Sequence, residues 1–530
     1  MDRLSKSINC FFKATFFAIF SSVLFLLLFC SGAVYNRKVE FLLPNYLLII
    51  IALCVFFGAF LILKRYYRQI EEFLSRFGGY IIIGLTLVFV FTQIYFCYCY
   101  YFLTGWDVAE IIDNAQFLAK EEYSNVDSYY FSVYPNNMAL GYLYAFIFKI
   151  GLFFGVDSPE NRVFLVVILQ IIISAIVSYL TYSFVLKFSK SHTLALSAWL
   201  FYILFVGLSP WKVIPYSDST GLLFPMLILW VYQAKTKKKH LWAKYFLIGL
   251  LSFVGYKIKP QIVFVLIAVA IAEGVKLAKP QEVKTNLKET AVKCLSVVLA
   301  FVCGISCFNY FFITKSKLDL NKELEMGMTH FLMMGLNPEG MGVYNGEDVQ
   351  FSISQYPAEK RKEANLKEVK NRLEKMGVIG TLKLFARKNL TNYNDGTFAW
   401  SLEGGFYTTT FEDKNETISP LLKNVYYSDG RYYPLYSTAM QFMWLMLIVG
   451  LLGTLLKGRY NLFDNKETLV LLLCLIGLTV FETVFEARAR YLFIYSPFYL
   501  IGGMMGLINI FDFCHKWRQR KNTIVKTEKE

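Results

Sequence analysis

Long apolar runs of roughly 18–24 residues, almost free of charge, recur along the chain between short polar or basic breaks. Backbone groups in lipid must bond within their own segment, so runs of this length are read as helices, not porin-type strands. The pattern predicts an all-α polytopic integral membrane protein with about twelve transmembrane helices. They are placed near 11–33, 42–63, 80–103, 162–186, 192–208, 218–234, 242–257, 260–278, 292–313, 437–456, 467–482 and 492–511. The run Tyr134–Phe154 can either span or lie in the interface. If it spans, the basic loops "KFSK" and "KTKKKH" face outward together with the acidic loop that precedes it. If it lies in the outer interface, both termini and nearly every basic loop fall on the cytoplasmic side, as the positive-inside rule requires. Tyr134, Tyr142 and Tyr144 suit that interfacial placement, as does Lys149 with its reach to water.

This gives five regions: N-terminal transmembrane helices (1–103), a first extracytoplasmic loop with interfacial helices (104–161), central transmembrane helices (162–313), an extracytoplasmic cap segment (314–436), and C-terminal transmembrane helices with a basic cytoplasmic tail (437–530). Within the cap segment, "YPAEKRKEANLKEVKNRLEKMG" reads as a charged amphipathic helix and "VIGTLKLFARKNLTNY" as a second one lying on the membrane. No internal repeat or strand-rich domain is visible. The first apolar run follows Arg3, Lys6 and Lys13, lacks a small-residue cleavage pattern and is read as a signal anchor.

Composition agrees: 56% of the 530 residues are hydrophobic, above the roughly 45–50% of soluble domains. The net charge of +15 belongs to the loops and tail and does not call for nucleic acid. The ten cysteines lie in or beside apolar runs, so no disulfide framework is implied. Usage rich in Lys, Asn, Ile and Phe suits an AT-rich bacterium, hence a bacterial plasma membrane.

Charges on the predicted outer face are few. Asp107, Glu110 and Asp113 follow the third span in "TGWDVAEIIDNA". Asp218 opens a span after "WKVIPYS". Lys257 and Lys259 occupy the turn "GYKIKPQ", and Glu482, Glu486, Arg488 and Arg490 the stretch "FETVFEARARY". His330 opens the cap. For the acids the ordinary reading is capping and solvation, with Asp107 at the N-cap of a helix starting near Val108. The chemical reading is a general base at the lipid–water boundary. For each cation alone, snorkelling suffices. Together they suggest an anionic headgroup, with Arg forks and Lys point charges on phosphate oxygens. A phosphate-linked sugar on a lipid carries its own leaving group, which such cations would stabilise while the base activates an acceptor hydroxyl. No zinc spacing, calcium loop, phosphate-cradling Gly loop or nucleophile elbow is found. No cofactor is called for, and a divalent cation is left open.

This order of motifs resembles the GT-C superfamily of membrane glycosyltransferases, which includes protein O-mannosyltransferases and aminoarabinose transferases. The matching residues are Trp106-Asp107 in the first outer loop, Tyr134-Pro135-Asn136 at the interfacial helix and Asn161-Arg162 at the next span. Lys259-Pro260-Gln261 and then Glu486, Arg488, Arg490 and Tyr491 follow. The resemblance implies a polyprenyl-phosphate sugar donor, inversion at the anomeric carbon and Asp107 as base. The chain departs from the pattern in having Glu110, not a second acid beside Asp107, two extra spans before the loop, and no large soluble C-terminal domain. The expected activity is sugar transfer to a cell-envelope acceptor, whether glycan, lipid or protein. Asp107 is the leading base, with Glu110 and Asp113 as further candidates. Lys257, Lys259, Arg488 and Arg490 would hold phosphate, and Asp218, His330 and Glu486 would orient hydroxyls. A lipid-linked polysaccharide polymerase or ligase, a lipid or oligosaccharide flippase or transporter, and a non-catalytic scaffold are the alternatives; of the features expected of transporters, mid-span charge is nearly absent and no repeated halves are visible.

Overall fold

A computed structural model describes residues 3–31, 41–277, 283–404 and 407–527. The ends of the expected spans 11–33 and 260–278, part of the basic loop before Lys293, and the last three residues of the tail lie outside the described residues. The described chain is almost entirely helical. Helix α1 (Arg3–Phe29) is followed by α2 (Asn45–Tyr100), strand β1 (Phe102–Thr104), α3 (Trp106–Ala119), α4 (Ser128–Val133) and α5 (Met138–Phe153). The central part holds α6 (Pro159–Ser189), α7 (His192–Tyr202), α8 (Ser217–Gly221), α9 (Leu223–Gln233), α10 (Leu241–Ile258), α11 (Val263–Leu277) and α12 (Val283–Phe308). The cap holds α13 (Gly327–Gly335), α14 (Gly346–Ser354), α15 (Ala358–Tyr393), strand β2 (Tyr407–Thr410) and α16 (Ile418–Tyr426), and the chain closes with α17 (Tyr433–Gly453), α18 (Lys466–Val484) and α19 (Ser496–Thr527).

Among the described residues, eight helices are long and apolar enough to cross a membrane. The expectation of about twelve differs for two physical reasons. The segments 192–208, 218–234 and 260–278 form helices too short or too interrupted to meet that length, and the segments 42–63 and 80–103 share the single run α2. A straight helix of 56 residues would be about 84 Å long. Yet both ends of α2 meet one region. Asn45 donates to Asn394 and accepts from Gln441 on α17, while Tyr100 stacks on Tyr426, which packs against Tyr436 of the same α17. The run therefore doubles back. Its polar middle, around Lys64–Arg76, holds Glu71, whose carboxylate accepts from the backbone N–H groups of His192 and Thr193 at 2.7 and 2.9 Å and so caps α7.

Of these eight spanning helices, α19 has the most enclosed apolar stretch and α2 the most peripheral. α17 and α19 touch backbone to backbone: Gly450 faces Gly503 and Gly506, and a Cβ at Gly506 would collide with the Gly450 carbonyl. Small residues at such a crossing let helices associate by close packing where lipid removes the hydrophobic drive. The outside carries large apolar side chains such as Phe91, Val88 and Leu295, more than half exposed, as a lipid-facing wall requires.

One departure from an all-α chain lies at the entrance to the first loop. β1 and β2 pair antiparallel, Phe102 opposite Thr410 and Thr104 opposite Tyr407. The Tyr-Thr-Thr-Thr run favours extended backbone, and Tyr427 stacks on Tyr407 behind it. The cap is clamped onto the bundle from both sides. In α15 two helical pieces meet at Gly377, whose φ of 60° only glycine adopts cheaply; their bounds match the two helices read from the sequence. The second piece exposes Val378, Ile379 and Leu382. α13 sits so close to the turn after α18 that Gly335 has no room for a Cβ against the Phe485 backbone.

Candidate functional site

The helix that carries the acids begins at Trp106, two residues earlier than its sequence suggests, with Gly105 as N-cap and no side-chain cap. Asp107 is thus inside the first turn and does not cap the helix. Its carboxylate instead accepts hydrogen bonds from two phenols, Tyr130 at 3.3 Å and Tyr216 at 3.1 Å. Asn137 in turn donates to the Tyr130 oxygen at 2.7 Å, fixing the direction of its O–H. Trp106, the residue just before, has φ 52°. A left-handed conformation is costly for a bulky residue and is kept where surroundings enforce it. The enforcement is visible: the Arg490 guanidinium lies over the Trp106 ring at 4.5 Å and over the Tyr216 ring at 5.1 Å.

All of these groups except Tyr130 line a cavity of about 1110 Å³ between the first loop, the cap and the turn before α19. It is larger than the roughly 300–1,000 Å³ typical of small-molecule sites. Asp107 and Glu110 enter from α3, His330 from α13, Asn394, Asp395 and Glu403 from the segment after α15, and Glu486, Arg488 and Arg490 from the last turn. Residues far apart in sequence and singled out there, Asp107 with Arg488 and Arg490, meet on one surface.

The charges are strongly organised. Arg488 Nη1 lies 3.1 Å and Arg490 Nε 2.9 Å from the two oxygens of Glu403, and Arg488 Nε donates to Glu486 at 3.0 Å. Tyr491 donates to the other Glu486 oxygen at 3.1 Å. Burial acts to raise the Glu403 carboxyl, but the Arg488 and Arg490 guanidiniums outweigh it and hold it below the usual range. Arg490 is only 6% exposed, and neither its Nε nor its Nη1 has an aligned hydrogen-bond acceptor. The Nε contact with Glu403 is close enough for an ion pair and too oblique for a hydrogen bond. Burial, then the charges of Asp127, Asp113 and Asp107, raise the Glu110 carboxyl. Asp395 is pushed up to about 6 by burial, against hydrogen bonds from Thr397 and the Ala399 N–H. His330 is buried, shares a 2.7 Å hydrogen bond with Ser352, and is shifted down by burial, which keeps it neutral near pH 7.

Four expected residues are placed elsewhere. Lys259 and Asp218 form a buried ion pair with each other, with Lys259 over the Tyr491 ring at 4.5 Å, and neither lines the cavity. Lys257 points its ammonium at Phe308, 4.2 Å from the ring centroid, and at Phe253. A helix-terminal lysine over these two buried rings is stabilised there without an anion. Asp113 faces a separate hollow of about 170 Å³ beside Phe102 and Thr408, not the cavity that Asp107 and Glu110 line. Reading by sequence missed Glu403, Tyr130, Tyr216 and Asp395. "YNDGT" signals a turn, but nothing in "WSLEGG" marks Glu403 as the partner of two arginines. Among the described residues, no group of three His, Cys, Asp or Glu side chains is arranged to hold a metal ion.

A family model described as a conserved hypothetical integral membrane protein matches residues 2–509, and the chain belongs to that family. Comparison with curated proteins and with solved structures gave no match.

Proposed function

We propose that this chain is a membrane glycosyltransferase of the inverting kind, moving a sugar from a polyprenyl-phosphate donor to a hydroxyl of a cell-envelope glycan, lipid or protein. One observation carries the reading. A carboxylate oriented by two phenols, Asp107, shares a cavity with a buried arginine, Arg490, that has an unmatched N–H group. A base and an anion-seeking fork on one wall are what displacement at a phosphate-linked carbon needs.

In this reading Asp107 takes the proton of the acceptor hydroxyl, whose oxygen attacks the anomeric carbon. The bond from that carbon to the phosphate oxygen breaks, its electron pair leaving with the lipid phosphate. Arg488 and Arg490 stabilise the charge that develops there. Tyr130 and Tyr216 hold the carboxylate in the attacking direction. Lys257, Lys259, Asp218 and Asp113 fall outside this scheme. Glu110, Glu486 and His330 are left to contact sugar or acceptor hydroxyls.

The membrane arrangement follows the same reading. Counting both arms of α2 and the three shorter segments gives about twelve crossings, with α5, 16 residues and about 24 Å long, in the outer interface. The cavity then opens outside a bacterial plasma membrane and both termini lie in the cytoplasm.

The test is transfer in membranes carrying the chain, using a panel of radiolabelled hexosyl and pentosyl polyprenyl phosphates. At least one donor is expected to label a product with inverted anomeric configuration. Folded protein that labels no acceptor fraction from any donor overturns the proposal.

A further inference from the structure

We infer that Glu403 is a built-in stand-in for the donor phosphate, and that a lipid phosphodiester enters the cavity by displacing it from Arg488 and Arg490. The inference rests on the phosphate role proposed above for these arginines. Glu403 presents two oxygens to two different guanidiniums on the cavity wall, at 3.1 and 2.9 Å. Two non-ester oxygens of a phosphodiester make the same two-point contact.

The fit of Glu403 is incomplete. The Arg490 contact is misaligned, leaving Nε and Nη1 without an aligned acceptor at 6% exposure. A buried donor without a partner is costly. A tetrahedral phosphate can reach donors that a planar carboxylate bound to both arginines cannot.

Charge selects the ligand class. The ion-paired cluster at Glu403 holds two guanidiniums, Arg488 and Arg490, and two carboxylates, Glu403 and Glu486, with the further carboxylates Asp107 and Glu110 lining the same cavity. Exchange of the Glu403 carboxylate for a phosphodiester, each with a single negative charge, keeps this local balance. Adding a phosphate beside an undisplaced Glu403 would leave an uncompensated anion in a largely buried place. Glu403 also lies on the single turn Trp400–Gly404, not on a spanning helix, so it can swing away without moving the bundle.

The experiment uses the full chain in nanodiscs and measures binding and melting with a dialkyl phosphodiester lipid, with inorganic phosphate, and with a phosphate-free lipid of the same chains. Glu403→Gln is expected to bind the phosphodiester about tenfold tighter than wild type, since a competing charge-assisted contact is gone. The lipid should also raise its melting temperature more than it raises that of wild type. Glu403→Asp, which keeps the charge but cannot span both arginines, is expected between the two, and it decides the matter alone if Glu403→Gln does not fold. Equal or weaker phosphodiester binding in the folded variants overturns the displacement. A response to inorganic phosphate only overturns the lipid as the source. No binding of either phosphate compound by folded wild type and variants rejects the phosphate site itself, and with it the reading on which this inference rests.

Discussion

Replacing Asp107 by Asn tests the base directly. The side chain keeps its shape and one acceptor oxygen, so one of the two phenol contacts, Tyr130 at 3.3 Å or Tyr216 at 3.1 Å, survives. The other phenol then faces an amide N–H₂. Losing a hydrogen bond to a charged acceptor costs about 1.5–3 kcal/mol, which a bundle of this size tolerates, so the variant is expected to fold and bind donor. An amide cannot take the acceptor's proton. General-base catalysis contributes about 10²- to 10⁴-fold, equivalent to about 2.7–5.4 kcal/mol of barrier. The turnover rate should fall by that factor while donor affinity changes little, because the arginines are untouched. The assay is single-turnover sugar transfer from a radiolabelled polyprenyl-phosphate donor at saturating enzyme, with melting temperature measured on the same preparation. A rate within threefold of wild type in folded Asp107→Asn would refute the base assignment.

Tyr216→Phe removes one donor to Asp107 and leaves the stacking ring under Arg490; about a tenfold loss of turnover is expected, and unchanged kinetics would show that the phenol does not orient the base. Arg490→Lys keeps a charge but loses the fork and the guanidinium contact over Trp106, so donor affinity should drop by about tenfold or more, read from the donor concentration dependence. Burial pushes Lys388 down to about 7, so between about pH 7 and 10 the unfolded chain holds a proton that the folded chain has released. Stability therefore rises with pH across that window, by at most about 1.4 kcal/mol per pH unit from this group. Lys388→Met should flatten the rise in a melting series against pH, and an unaltered slope would deny that Lys388 is its source. A cysteine at the exposed position Lys237, with reactive native cysteines removed, should resist an impermeant thiol reagent in intact cells; labelling there would reverse the topology.

Much of the fold is legible in the apolar pattern, because lipid permits few ways to satisfy a backbone. What the pattern cannot give is how runs join. The polar stretch Lys64–Arg76 reads as a loop between two spans, yet it is helical throughout and α2 turns back without leaving helical structure. Charge in the sequence brings out residues that the structure places in one cavity, Asp107 with Arg488 and Arg490, and misleads about the company of others. Lys259 and Asp218 each look like a lone ion at membrane depth; in three dimensions they are each other's partner. Burial of single charges is so costly that an isolated ion in an apolar sequence is better evidence for an unseen counter-ion than for a ligand.

Arg488 and Arg490 are the instructive contrast. By the same rule they too should have counter-ions, and they do, in Glu403 and Glu486. Pairing alone therefore does not separate a structural cation from a binding one. Location does. Asp218 Oδ2 in the buried Lys259–Asp218 pair also lacks a partner, but that pair lies off the cavity, whereas Arg490, with its own unmatched N–H group, lines the same cavity as Asp107 and stacks on the residue preceding it. A protein that needed only to neutralise Arg490 would gain by completing that bond, since a buried donor left unmatched costs about 1–3 kcal/mol. In the glycosyltransferase reading proposed above, the acceptor for that N–H is the donor phosphate, arriving at the wall that holds the strained Trp106.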